Sequence, residues 1–175
     1  GNFATISSGR FHSCTLTNAG ALQCWGIDDG TQYIDYGQVT DAPTTGTYIS
    51  VSAGGYHSCG LTDAQEPECW GRDEYGQSTP PAGPFASVGA GTWHSCGLRP
   101  TGEVECWGKD DVGQATAPIE TLSSLSVGFD HNCGITPSGE LHCWGNNSSG
   151  QSNPLAGTFL SVSPGRGSSC AVATN

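Results

Sequence analysis

Nothing limits the folds open to this chain more than the placement of its cysteines. A histidine stands two residues before a cysteine, a second cysteine follows ten positions after the first, and Trp-Gly follows that. The unit occurs four times: His12-Ser13-Cys14 with Cys24-Trp25-Gly26, His57-Ser58-Cys59 with Cys69-Trp70-Gly71, His94-Ser95-Cys96 with Cys106-Trp107-Gly108, and His131-Asn132-Cys133 with Cys143-Trp144-Gly145. A partial fifth copy is Ser168-Ser169-Cys170. Self-similarity at a fixed period defines architecture before any local reading does.

The spacing has a mechanical meaning. Each arm alternates, as in His131, Cys133, Ile135 against Asn132, Gly134, Thr136, and the arms are separated by turn residues such as Asn18-Ala19-Gly20 and Pro137-Ser138-Gly139. Alternation flanking a glycine turn predicts a β-hairpin. Folded about its middle, the hairpin sets Cys133 opposite Cys143 and Ile135 opposite Leu141. Opposed residues in an antiparallel pair lie about 4.5–5.5 Å apart at Cα, within reach of a disulfide. The predicted bridges are Cys14–Cys24, Cys59–Cys69, Cys96–Cys106 and Cys133–Cys143. Each closes a short loop and contributes roughly 2.5–3 kcal/mol in the chain-entropy model. The same register turns each tryptophan to the face away from its disulfide. Both faces then carry bulk that needs covering, so short sheets must stack as in a solenoid or propeller.

A short alternating strand leads into each hairpin: 3–7, 48–52, 85–89, 122–127 and 159–163. A polar loop ending in Gly-Gln follows each Trp-Gly, at Gly37-Gln38, Gly76-Gln77, Gly113-Gln114 and Gly150-Gln151. Cysteines 59, 96, 133 and 170 are spaced by 37 residues. The first copy is eight residues longer, mainly in the loop around Thr31-Gln32-Tyr33-Ile34. The expectation is one domain over 1–175, with repeats at 3–47, 48–84, 85–121 and 122–158 and a partial repeat at 159–175. Cys170 is left unpaired or intermolecular, because its partner ten residues on falls beyond Asn175. Two organisations fit this count. The chain is a stretch of a longer array, or its terminal strands complete a blade with the same chain's N-terminus or a neighbouring molecule.

Composition narrows the setting. Nine cysteines at cross-strand spacing point to an oxidising compartment, hence secretion or a cell surface. Five lysines and arginines against sixteen acids, a net charge of −11, oppose binding to nucleic acid or anionic membrane. No apolar run approaches the ~20 residues of a membrane-spanning helix.

Candidate chemistry is sparse. The His-x-Cys pairs resemble zinc ligands, but histidines 12, 57, 94 and 131 recur at one place in every copy, which marks packing between blades. His142 stands outside the pattern and is expected at the surface. Asp28, Asp29, Asp73, Glu74, Asp110 and Asp111 lie in the post-Trp-Gly loops and are expected along one rim, with Tyr33, Tyr36 and Tyr75 as aromatic contacts there. These loops lack the ligand spacing of a calcium site, so no metal and no cofactor is expected. Asn146 and Asn147 head overlapping N-glycosylation sequons, Asn146-Asn147-Ser148 and Asn147-Ser148-Ser149. No nucleophile–base constellation is present.

Ser-Ala-Gly-Gly-Tyr-His-Ser-Cys-Gly-Leu at 52–61 and Glu-Cys-Trp-Gly-Arg-Asp-Glu-Tyr-Gly-Gln at 68–77 resemble the regulator of chromosome condensation repeat, over essentially the whole chain. The resemblance implies an all-β propeller of ~37-residue repeats, incomplete or closed by strand exchange, each blade stapled by a hairpin disulfide. Nuclear members of that family act as nucleotide-exchange factors on a small GTPase and bind chromatin. The acidic charge and paired cysteines resemble instead a secreted bacterial branch with Cys-Trp-Gly repeats. The expected function is a non-catalytic extracellular module for structure or protein interaction, within a larger or polymeric fibre-like glycoprotein, with a protein partner or self-association and possible glycans. The alternative is a secreted lectin or protein inhibitor that binds through its rim loops.

Overall fold

A computed structural model describes residues 2–30 and 33–174; Thr31 and Gln32 of the long first loop lie outside the described residues. Four three-stranded antiparallel sheets follow one another, each in the order first–second–third strand. They are β1 (Phe3–Ser8), β2 (His12–Thr17), β3 (Leu22–Gly26); β4 (Tyr48–Ala53), β5 (His57–Thr62), β6 (Pro67–Gly71); β7 (Ser87–Ala90), β8 (His94–Leu98), β9 (Val104–Gly108); and β10 (Ser124–Val127), β11 (His131–Ile135), β12 (Leu141–Gly145). A two-stranded sheet, β13 (Phe159–Pro164) and β14 (Ser169–Ala173), completes the series. Among the described residues there is no helix, and so none long and apolar enough to cross a membrane.

The hairpins pair in the anticipated register. Cys14 faces Cys24, Cys59 faces Cys69, Cys96 faces Cys106 and Cys133 faces Cys143, and all four pairs are bridged. The bridged Cα atoms stand 4.0–4.1 Å apart, at the close end of an antiparallel pairing. The first cysteine of each bridge is fully buried. The disulfides therefore lie in the interior of the stack.

Successive sheets pack face to face. The first strand of each touches the first strand of the next, so β1, β4, β7, β10 and β13 lie side by side. Leu98, Leu122, Cys96 and Trp144 form one such interleaf, filled out by Val104, Leu125 and Val127. Trp70 and Trp144 are buried between sheets and Trp107 is half-buried. Trp25 departs from the expectation that every repeat's tryptophan fills such a space. Among the described residues no sheet covers the outer face of β1–β3, and its indole is 48% exposed where Trp70 is 5%.

Glycine makes the close approach possible. A Cβ on Gly54 would stand 2.2 Å from the Gly91 carbonyl oxygen, and one on Gly9 would stand 2.2 Å from that of Gly54. The turns between first and second strands interlock at backbone distance, which no side chain would permit.

Candidate interaction surfaces

The seams between sheets are built from a recurring histidine, a serine or asparagine, and a glutamine main-chain carbonyl. His57 Nε2 meets Ser95 Oγ of the next sheet at 2.7 Å, and that hydroxyl donates to the Gln77 carbonyl at 3.0 Å. A hydroxyl already donating must accept from the imidazole, which fixes His57 as the Nε2–H tautomer. His131 and Ser169 repeat the arrangement, with Ser169 donating to Gln151. At the third seam Asn132 does the same work, accepting from His94 at Oδ1 and donating from Nδ2 to Gln114. His12 pairs with Ser58 at 2.6 Å. The histidines are thus hydrogen-bonded between blades, as anticipated from their position in each copy.

All four imidazoles are left with a buried Nδ1 that has no hydrogen-bond partner. Burial pushes His12 down to about 4 and His57 down to about 3; the neighbouring imidazoles of His94 and His12 reinforce the shift at His57. His94 and His131 are lowered by the same desolvation, partly opposed at His94 by its bond to Asn132 and at both by Asp130. These are neutral, structural histidines.

The Gly-Gln pairs have a role that the sequence alone did not disclose. Gln38, Gln77, Gln114 and Gln151 are buried, and each side-chain oxygen accepts the N–H two residues back. Their carbonyls accept from the following sheet, including Trp70 Nε1 at Gln38 and Trp107 Nε1 at Gln77. The preceding glycine lies in the left-handed region, at φ 79° for Gly76, which glycine alone adopts without strain. The signal for this role was the recurrence of Gly-Gln itself.

The rim acids divide into two kinds. Asp73 caps its loop through Ser78 N and Thr79 Oγ1, and Asp110 through Ala115 N and Thr116 Oγ1. Asn147 holds the equivalent place, accepting from Ser152 N and donating to Asn153 Oδ1. These residues shape turns. Glu74 pairs with Arg72, and Asp111 with Lys109, whose ammonium holds the Asp111 carboxyl below its usual range. Asp28 and Asp29 are exposed in the first loop. Among the described residues no group of three or more His, Cys, Asp or Glu side chains is placed to hold a metal.

The tyrosines converge on a cluster that spacing arguments missed. Tyr56 stacks on Trp93 at 4.4 Å, and Tyr36 and Tyr75 meet this pair edge-on. The Arg72 guanidinium lies 4.3 Å from both the Tyr36 and Trp93 ring centroids and donates to Tyr36 Oη. The arginine braces the loop of the first repeat against the second and third sheets. Tyr33 stays outside, 89% exposed, its carbonyl accepting from Tyr36. The signal here was an aromatic residue just before the histidine in three copies, Phe11, Tyr56 and Trp93. His142 is half-buried, edge-on to Trp144 and 3.8 Å from Glu120. Cys170 is free and exposed on β14.

The model of the regulator of chromosome condensation (RCC1) repeat matches residues 85–114 and 123–151. Two of its four complete repeats, the third and the fourth, thus match the RCC1 repeat. The first two repeats share the same seam, bridge and Gly-Gln geometry. No curated protein matches the chain in sequence. Among solved structures, this chain resembles the entire ectodomain of the Physcomitrella patens receptor kinase CR4, with 29% identity and a TM-score of 0.77 over 98% of this chain and 47% of that one. It also resembles the CRINKLY WD40 ectodomain of the Arabidopsis thaliana receptor kinase ACR4, with 26% identity and a TM-score of 0.65 over 82% and 49%. Prp20p from Saccharomyces cerevisiae, known for its binding properties to Gsp1p and histones, matches in fold at 15% identity, with a TM-score of 0.82 over 99% and 56%. The chain spans about half the length of these structures.

Proposed function

We propose that this chain is a non-catalytic extracellular module that acts by docking its end sheets to further repeats, as part of a larger or polymeric, fibre-like surface glycoprotein. One observation carries the reading. The outer face of β1–β3 exposes Phe3, Ile6 and Trp25, which with Thr5, Thr15 and Gln23 line an apolar hollow of about 620 Å³. At every internal seam the equivalent face is covered by a sibling sheet. At the other end, β14 offers an unpaired strand edge with Val172 and Cys170 exposed, beside exposed Leu160. Exposed apolar faces and open strand edges favour association with like sheets. Fully burying one large apolar side chain is worth ~1.5–3 kcal/mol, so covering these three supplies a favourable term for docking. Four internal bridges suit an oxidising exterior, and the receptor ectodomains it resembles lend the reading support.

Multi-angle light scattering across a concentration series, with and without reductant, tests the proposal. Concentration-dependent assembly that weakens in Trp25→Ser is expected. A strictly monomeric particle, with the emission of a water-exposed Trp25 at every concentration, would overturn it.

A further inference from the structure

The five turns between first and second strands meet in a depression of about 310 Å³. Its floor is backbone. Arg10 N donates to Gly54 O, Gly55 N to Gly91 O, Thr92 N to Phe129 O and Phe129 N to Gly165 O, at 2.9–3.1 Å. Four of the turn glycines, Gly9, Gly54, Gly91 and Gly128, leave less than 3 Å for a Cβ, and the residues after the turn glycines that reach the depression are Arg10, Gly55, Phe129 and Arg166.

Two cations and no carboxylate therefore line this space, in a chain of net charge −11. The pairing of charges sets these two apart. The three other basic side chains each hold a carboxylate: Arg72 with Glu74, Arg99 with Glu105, and Lys109 with Asp111. Among the described residues, neither Arg10 nor Arg166 forms a salt bridge. Both are held by aromatic faces instead. Arg10 lies 4.9 Å from the Phe11 centroid and donates one N–H to Tyr56 Oη; Arg166 lies 5.4 Å from the Phe129 centroid. Among the described residues no carboxylate answers either guanidinium, and the two like charges line one concavity.

We propose that this depression binds a small dicarboxylate, one carboxylate to each guanidinium, with the carbon chain against Val127, Phe129 and Pro164. Planar guanidinium forks match carboxylates bidentately. Phosphate fits less well. It is best held by a cradle of convergent backbone N–H groups, and the turn amides that would form one already donate to neighbouring carbonyls. The apolar wall favours a ligand with a hydrocarbon spacer.

Amide chemical-shift titration of the disulfide-intact chain with succinate and glutarate, at fixed ionic strength, tests the assignment. Controls are the neutral diamide of succinate and inorganic phosphate. Saturable shifts at Gly54, Gly91 and Gly128 are expected, with affinity about tenfold weaker in each of Arg10→Gln and Arg166→Gln, and no change in Arg99→Gln. The diamide should leave the shifts unmoved. Absence of saturation in the wild-type chain overturns the proposal without any variant having to fold. So does phosphate binding as tightly as succinate, or equal loss in Arg99→Gln. Self-association that depends on Arg10 and Arg166, without small-ligand binding, would reassign the pocket to a protein carboxylate.

Discussion

Acidification tests the seams most directly. Four imidazoles are neutral in the folded chain, and their Nδ1 atoms face no acceptor that could receive a second N–H. In the unfolded chain each returns to an ordinary value near 6.5. Above that value both states are neutral and the histidines make stability independent of pH. Below it the unfolded chain binds protons that the folded chain refuses, so stability falls as pH falls, by ~1.4 kcal/mol per pH unit for each histidine in its window. The window runs down to about 4 for His12 and about 3 for His57. Between pH 6.5 and 4.5 these two alone remove on the order of 5 kcal/mol, and His94 and His131 add in the same direction. A loss of that size rivals the whole stability of a typical domain, about 5–15 kcal/mol. Most carboxylates stay ionised over this range, so the histidines dominate it. The assay is guanidinium denaturation followed by tryptophan fluorescence, from pH 7.5 to 4.5, disulfides intact. The midpoint should hold steady above pH 6.5 and fall steeply below it. In His57→Gln, already weaker at neutral pH, the dependence should be shallower by one histidine's share. A midpoint that is flat or rising between pH 6.5 and 4.5 would refute the neutral-seam account.

Three further outcomes follow from the same geometry. Removing one bridge by the double change Cys96→Ala, Cys106→Ala should lower stability by about 3 kcal/mol, seen as a lower melting temperature with the remaining three bridges intact by mass. Gly54→Ala should cost about 2 kcal/mol or more by thermal melt, because its methyl meets the Gly91 carbonyl and breaks the Gly55 bond to it. In a eukaryotic secretory host, Asn146 should carry the glycan rather than Asn147, whose amide nitrogen is committed to Asn153 and whose oxygen caps Ser152; peptide mass spectrometry of Asn146→Gln should show the sugar lost.

The parts of this molecule legible in its sequence are those set by spacing within one repeat. Two cysteines ten apart about a glycine turn dictate a cross-strand bridge, and the alternation on either side dictates which face Trp70 takes. The illegible parts depend on contact between repeats. Buried Gln77, with its carbonyl shared by Ser95 and Trp107, is a relation among three segments that no local pattern encodes. The brace of Arg72 between Tyr36 and Trp93 spans three repeats in the same way.

Repetition nonetheless sorts the residues. Positions filled alike in each copy, the histidines, bridged cysteines and Gly-Gln pairs, lie in seams where one solution must serve every neighbour. Where the copies differ, packing does not decide every residue, and the surface is free to carry binding chemistry. Position after the interlocking glycine is the clearest case, reading Arg, Gly, Thr, Phe, Arg along the chain. Packing holds Gly55 and buried Thr92, since a Cβ on Gly55 would stand 2.9 Å from the Thr92 side chain, but leaves Arg10 and Arg166 exposed. The variation leaves two unpaired guanidinium groups where five turns meet, and a face as acidic as the rest of this chain would have neutralised them had their charge served folding alone.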